Sequence, residues 1–224
     1  MIYVLTKRIV DLLISFITLT VLSPFLITVI VILRFSGEGE VFYLQERLGY
    51  ENKKFKIIKF ATMVKNSPNI GSGSLTLRND PRVLPFGKFL RKSKINELPQ
   101  IFNVLIGNMS IVGPRPQMQT DFDKFPKDKR DLIYDSKPGI TGIGSIVFRD
   151  EEKWISNYKG DKHYFYKKKI APYKTELELW YLKNSSIIID FLLIFITAWV
   201  IIFPKSTLVN KIFNNLPKRP SHLV

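Results

Sequence analysis

The chain predicts a small α/β globular domain held at a membrane by a re-entrant N-terminal helix and by amphipathic helices lying in the interface. Three observations carry that expectation: an uncharged run over residues 12–33, short apolar runs punctuated by turn residues over 35–60, and helical spacing of apolar residues further on. At 224 residues there is room for one main domain with membrane-associated additions. The expected division is an anchoring helix over 1–34, a globular domain over 35–186, and a C-terminal membrane-interface segment and tail over 187–224.

The first element is the run LLISFITLTVLSPFLITVIVIL, which is long enough to cross a bilayer as a helix. No small-residue cleavage pattern follows it, so a secretory signal is a poor reading. Pro24 lies near its middle, where it removes a backbone donor and crowds the preceding turn. A break or sharp kink is therefore expected, with Ser23 satisfying part of the freed backbone. Lys7 and Arg8 precede the run and Arg34 follows it, so a straight span would leave one basic flank outside. A helix that turns back keeps both flanks cytoplasmic; a straight span and a buried soluble helix are the other readings.

The stretch VFYLQERLGYENKKFKIIKF reads as a β-hairpin with its turn near residues 49–52. Lys59 closes it, and on the residues alone such a lysine is solvent-exposed. Residues 66–74, NSPNIGSGS, form a loop whose GSG could cradle phosphate but lacks a P-loop pattern. In LRKSKINELPQIFNVLIGNMSIVGPRP, Leu98, Ile101, Phe102 and Leu105 share the buried face of a short helix that Gly107 and Asn108 end. Asn96 and Glu97 then sit at its N-terminus, where free N–H groups and the helix dipole favour anions, with Arg91, Lys92 and Lys94 adding charge. The plainer alternative makes Asn96 an N-cap and Glu97 a first-turn acid.

Residues 121–135 read as a charged helix or connection, and KPGITGIG as turns before a short apolar strand that leads to Arg149. Tyr164, Phe165 and Tyr166 with Lys167, Lys168 and Lys169 suit a membrane interface, or single-stranded nucleic acid; nearby apolar segments favour lipid. Tyr173, Leu177, Trp180 and Tyr181 share one helical face, and Lys174 can pair with Glu178 on another. The run over 187–203 is of marginal length for a span and carries Asp190, so an interfacial helix is expected, with a buried Asp190 and a polar partner as the alternative.

A net charge of +15 calls for a polyanionic partner without choosing among nucleic acid, anionic lipid and a nucleotide diphosphate. The absence of cysteine excludes disulfides, thiolate nucleophiles and Cys-ligated zinc. His163 and His222 are too far apart in the chain to suggest a histidine metal cluster or a Ser-His triad.

Further motifs run in order: KR with Asp11, SP at 23–24, QERLG at 45–49, KF at 59–60, NDPR at 79–82, FGKFLRKS at 86–93, MSIVGPRP at 109–116 and KPGITG at 137–142. Together they resemble the monotopic phosphoglycosyl transferases, over nearly the whole chain. The resemblance implies transfer of a phosphosugar from a UDP-sugar to polyprenyl phosphate with release of UMP, initiating glycoconjugate assembly at the cytoplasmic face of the bacterial inner membrane. It also implies a re-entrant helix and Mg2+. Anionic lipids are expected partners and nucleic acid is not, while the oligomeric state is left open, with a homodimer as one reading. Carried over residue by residue, the resemblance makes Glu97, Asn96, Lys59 and Arg91 catalytic, with Glu97 the metal ligand. Arg115, Arg149, Asp80, Arg82 and Pro114 become substrate-binding.

Three positions depart from the family pattern. Its Asp-Glu dyad is here Asn96-Glu97, its KFRTM is KFATM with Ala61, and its GDMS is GNMS with Asn108. A carboxamide is neutral and a weaker Mg2+ ligand than a carboxylate, so Asn96 forms no ordinary acyl phosphate. Glu97 could replace the nucleophile, the two substrates could react directly, position 96 could carry a deliberate inactivation, or the protein could be a non-catalytic relative. Three departures together suit a divergent branch better than a deliberate inactivation.

Overall fold

The computed structural model describes residues 2–70 and 80–220; the GSG of the 66–74 loop, Asn79 and His222 fall outside them. Among the described residues the fold is α/β but mostly helical, with four short strands in two pairs, one long apolar N-terminal helix and several amphipathic helices.

Helix α1 (Ile2–Arg34) runs for 33 residues without interruption through Pro24, so the helix is not broken there. Pro24 leaves the Thr20 carbonyl without its usual donor, and the Ser23 hydroxyl donates to that same oxygen at 2.9 Å. At ~1.5 Å per residue α1 is roughly 50 Å long, well beyond a ~30 Å hydrocarbon layer. Its most apolar 18-residue window has mean hydropathy 2.6 and is only 17% buried, so it is long and apolar enough to cross a membrane.

Both halves of α1 are tied to the same domain. Near its start, Lys7 Nζ lies 2.7 Å from Asp190, Tyr3 donates to that carboxylate, and Asp11 accepts from Ile111 N. Arg8 donates to the Val104 and Leu105 carbonyls at 2.6 and 2.9 Å, a cation on the last turn of a helix. Near its end, Leu26, Val29 and Leu33 pack with Phe60 and Leu90. Asp190 also accepts from Tyr181 OH at 2.7 Å, so the buried-aspartate alternative is the one adopted. Asp190→Asn leaves the Lys7 ammonium without its counter-charge. It is expected to cost about 3 kcal/mol and to lower the thermal midpoint in detergent.

The hairpin forms as the sequence predicts: β1 (Phe42–Leu48) pairs antiparallel with β2 (Lys54–Phe60), in register from Phe42 opposite Phe60 to Leu48 opposite Lys54. Glu51 and Asn52 take positive φ in the turn. Helix α2 (Pro85–Lys92) follows, then Lys94 at φ 62 and a 3-10 turn, Ile95–Glu97. Asn96 lies inside that turn, so neither Asn96 nor Glu97 begins the next helix and Asn96 makes no cap; Pro99 precedes α3 (Gln100–Ile106). Gly107, at φ 100, ends α3 as expected.

The buried face of α3 differs from the expected one: Gln100, Ile101, Asn103 and Val104 are buried, while Phe102 is 42% exposed. Asn103 explains the rotation, since its amide pairs with β2, donating to Lys56 O at 2.8 Å and accepting from Ile58 N at 2.9 Å. The spacing rule assumes that apolar side chains point inward, and here Phe102 and Ile106 are left outside.

Strand β3 (Ser110–Val112) pairs parallel with β4 (Gly139–Thr141). The two backbones meet where Gly113 crosses Gly139, and a Cβ on Gly139 would fall 2.1 Å from Gly113 N. Between them run α4 (Gln119–Phe122), α5 (Lys127–Arg130) and a 3-10 turn, Asp131–Asp135. The apolar run before Arg149 is not a strand but α6 (Ile143–Val147), which buries Ile143 and Ile146. The run expected as a strand, residues 145–148, is too short to carry a period that could distinguish the two.

Helices α7 (Glu151–Asn157) and α8 (Lys162–Phe165) lead through a π-helical turn into α9 (Ala171–Asn184). Phe165 and Tyr166 are buried in the core, so of the aromatic cluster only Tyr164 is exposed beside the lysines. Helix α9 buries Tyr173, Leu177, Trp180 and Tyr181 as its spacing predicts, but Lys174 and Glu178 are buried too. Lys174 pairs with Glu151 at 2.8 Å and not with Glu178. Helix α10 (Ile187–Ile202) inserts Leu193, Ile196 and Val200 into the same core and exposes Ile188, Phe191 and Phe195; α11 (Leu208–Ile212) follows.

Candidate active site

Three elements bring unlike charges together: the end of β2, the 3-10 turn before α3, and the loop after β3. Antiparallel register puts Lys59, Ile57 and Phe55 on one face of the hairpin with Tyr43, Gln45 and Arg47. Glu97 meets that face from the 3-10 turn, and Arg115 reaches it from between Pro114 and Pro116.

The Glu97 carboxylate is gripped on both oxygens. Arg115 donates Nη2 to Oε1 at 2.8 Å and Nη1 to Oε2 at 3.2 Å, and Lys59 Nζ stands 3.6 Å from Oε1. Side-chain exposure is 14% for Lys59, 16% for Glu97 and 33% for Arg115, so the cluster is largely shielded while Arg115 still reaches solvent. Burial works against ionising Glu97, but Arg115 and Lys59 outweigh it and hold the carboxyl well below its usual range. Burial lowers Lys59 to about 7; Glu97 opposes the shift, and Arg47, Arg115 and Arg91 add to it. Arg115 is raised by Glu97, against its own burial.

Two neighbours of this group are not among the sequence candidates. Arg47 is half-buried, donates to Gln45 Oε1 at 2.6 and 3.2 Å, and adds its charge to the field at Lys59. Strand alternation could have found it, since Gln45, Arg47 and Lys59 share a face. Glu178 is 2% exposed and accepts the Arg115 N–H at 3.5 Å. Its spacing gave no signal, since Glu178 reads as the i,i+4 partner of Lys174 on the polar side of α9. The Arg115 carbonyl is held from another element, accepting Tyr134 OH at 2.9 Å.

The remaining candidates divide. Asn96 lies beside Glu97, 7% exposed, with Oδ1 buried and without a hydrogen-bond partner. Arg91 adds to the field at Lys59 while pairing with Glu152 at 3.2 Å. Arg149 follows α6 with its Nη1 buried and unpartnered. Pro114 contributes its carbonyl to Gly139 N at 2.9 Å, fixing the start of the Arg115 loop. Asp80 and Arg82 are buried against each other, with Arg82 also donating to Ser67 O and Ile70 O. That pair braces the 67–70 turn.

Among the described residues no group of three or more histidine, cysteine or acidic side chains is gathered for a metal. Mg2+ commonly binds through one or two carboxylates and completes its shell with substrate phosphate and water. One carboxylate beside an unpartnered amide oxygen, in Glu97 and Asn96, fits that sparse arrangement when a diphosphate supplies the rest.

The chain matches the bacterial sugar transferase family over residues 2–204. It is 34% identical over 203 residues to the UDP-N-acetylgalactosamine-undecaprenyl-phosphate N-acetylgalactosaminephosphotransferase of Aeromonas hydrophila, covering 90% of this chain and 44% of that protein. It is 33% identical over 174 residues to the exopolysaccharide production protein ExoY of Sinorhizobium fredii, covering 71% of this chain and 76% of that one. Against the UDP-galactose-lipid carrier transferase of Erwinia amylovora the identity is 32% over 210 residues, 88% of this chain and 40% of that protein. The chain thus spans less than half the length of the Aeromonas and Erwinia relatives and about three quarters of the Sinorhizobium one.

Proposed function

The chain belongs to the bacterial sugar transferase family, and on that premise we propose that it moves a phosphosugar from a UDP-sugar to polyprenyl phosphate, releasing UMP. The reaction starts cell-surface glycoconjugate or polysaccharide synthesis at the cytoplasmic face of the inner membrane. The observation that carries this reading is the ionised Glu97 held between Arg115 and Lys59, with Arg47 and Arg91 in the same field. A lone acid among several cations has the charge balance of a site that receives a diphosphate.

Arrival of the donor offers Arg115 and Lys59 a second anion. As they turn to the phosphates, Glu97 is released to attack the sugar-linked phosphorus, the bond to the UMP oxygen breaks, and UMP leaves. An oxygen of polyprenyl phosphate then attacks the same phosphorus, and the Glu97 carboxylate departs. Glu97 and, more weakly, Asn96 Oδ1 would hold Mg2+, which offsets diphosphate charge when bound. Arg149 and Arg115 are assigned to the phosphates, and Asp80, Arg82 and Pro114 to the supporting shell of the donor site.

Membrane placement follows from α1. Its two halves dock on one domain through Lys7, Arg8 and Asp11 at one end and Leu26, Val29 and Leu33 at the other, which supports a helix that enters and leaves on one side. Anionic lipids meet the basic surface, and nucleic acid has no role in this reading. Because Asn96 lacks a charge, the competing reading is a non-enzymatic relative that binds lipid or nucleotide-sugar phosphates.

One assay separates the readings: protein in nanodiscs with Mg2+, a UDP-sugar panel, and polyprenyl phosphate present or withheld. UMP from donor alone, about one equivalent per site, is the expected result for Glu97 attack. UMP only with acceptor present would mean direct displacement, and none with any donor would mean the non-enzymatic relative.

A further inference from the structure

Glu178 lies outside the sites assigned so far, yet it is bonded to the backbone of one of their members. It projects from α9, and its Oε1 takes the Arg115 N–H at 3.5 Å, while Oε2 is buried without a hydrogen-bond partner. The approach is tight: a Cβ on Gly144 of α6 would fall 2.2 Å from Oε1. The charged and titratable groups facing it are Arg115 from the loop after β3, Tyr134 from the 3-10 turn, and Lys174 from α9 itself. Lys174 is in turn occupied by Glu151 of α7.

We propose that Glu178 is a positioning residue: it holds the Arg115 main chain from α9 and, by gaining or losing a proton, sets how strongly Arg115 and its neighbours attract the diphosphate of the donor. The anion is named on the strength of the transferase reading; the link between Glu178 and Arg115 stands on its own contacts. Burial raises the Glu178 carboxyl to about 7, with Lys174 and Arg115 opposing. Below that pH the carboxyl is neutral and the cation cluster keeps its full pull on an anion. Above it a second negative charge faces Arg115 and the pull weakens. The same sign governs stability, because an unfolded glutamate ionises first: the contribution is complete below about pH 4.5 and is lost as pH rises through about 7.

The test uses the full chain in detergent with UDP-glucose as probe, a diphosphate diester that does not titrate near neutrality, and calorimetry at about pH 6 and about pH 8. Wild-type affinity is expected to fall about tenfold across that interval, the scale of one unit charge acting across roughly 10 Å at an effective dielectric near 20. Glu178→Gln is expected to lose markedly less affinity than the wild type over the same interval, the remaining fall coming from Lys59, whereas Glu178→Ala, which leaves the Arg115 N–H unpaired, weakens binding at both values. If Glu178→Gln declines as the wild type does, the titration belongs to Lys59 and the proposal is overturned. A second arm needs no ligand: a double-mutant cycle of Glu178→Gln with Arg115→Gln, which removes the guanidinium charge that Glu178 faces, read as thermal midpoint at both pH values. Coupling that is larger at the higher pH supports the link, and additivity at both overturns it. Coupling without UDP-glucose binding would uphold the Glu178–Arg115 link and count against the transferase reading.

Discussion

Glu97→Gln is expected to lower UMP release by about 10³-fold or more, because it removes both the attacking oxygen and the charge that gathers the site. The carboxamide can keep one hydrogen bond to Arg115 but cannot match the two now made at 2.8 and 3.2 Å. It also leaves Lys59, Arg115 and Arg47 facing one another in a largely shielded pocket without their nearest counter-charge. A loss of about 2–4 kcal/mol in stability is therefore expected, readable as a lower midpoint in detergent. The two effects separate by measurement. Glu97→Asp keeps the charge but shortens the reach, so it should recover most of the stability and little of the turnover. If Glu97→Gln instead releases UMP at the wild-type rate, the carboxylate has no chemical role and the proposed reaction must be abandoned.

What the sequence made legible was local. The hairpin was readable because alternation and the turn over residues 49–52 lie within a few residues of one another, and the end of α3 because Gly107 takes a φ that other residues resist. The buried face of α9 was readable for the same reason, but its burial on further sides was not, since Lys174 finds its partner in Glu151 across the core. The continuity of α1 turned on one hydroxyl, Ser23, replacing the donor that Pro24 lacks. Phe102 was assigned inward because spacing does not reveal which side of a helix meets protein. At the site, Glu97, Lys59 and Arg115 come from three distant segments, so family motifs could name them where periodicity could not. Glu178 was missed because i,i+4 spacing offered Lys174 as an adequate explanation for it. Asp80 and Arg82 are named by a motif alone, and their pairing with each other and with the carbonyls of Ser67 and Ile70 depends on a fold-back that spacing does not show.

Asn96→Asp carries the second large effect. Asn96 sits in the same 3-10 turn as Glu97, buried, with an oxygen that no donor reaches. That vacancy means a carboxylate fits there without displacing an existing hydrogen bond. Its charge would repel Glu97, but Lys94, Lys59 and Arg115 all act on that neighbour, and Arg47 and Arg91 act on Lys59, so the surroundings favour ionisation. The new carboxylate has none of the bidentate grip that Arg115 applies to Glu97, which leaves it free to attack phosphorus while Glu97 keeps the cations in place. Turnover is expected to rise by about 10²-fold, and donor alone should give a burst of UMP near one equivalent with an acyl phosphate that hydroxylamine cleaves. Combining it with Glu97→Gln identifies the attacking group: a burst that survives the double substitution belongs to position 96, and one that disappears belongs to Glu97. Unchanged turnover in the single variant would show that the carboxamide is not what limits the wild-type reaction, and the rate would then be set by how readily Arg115 lets go of Glu97.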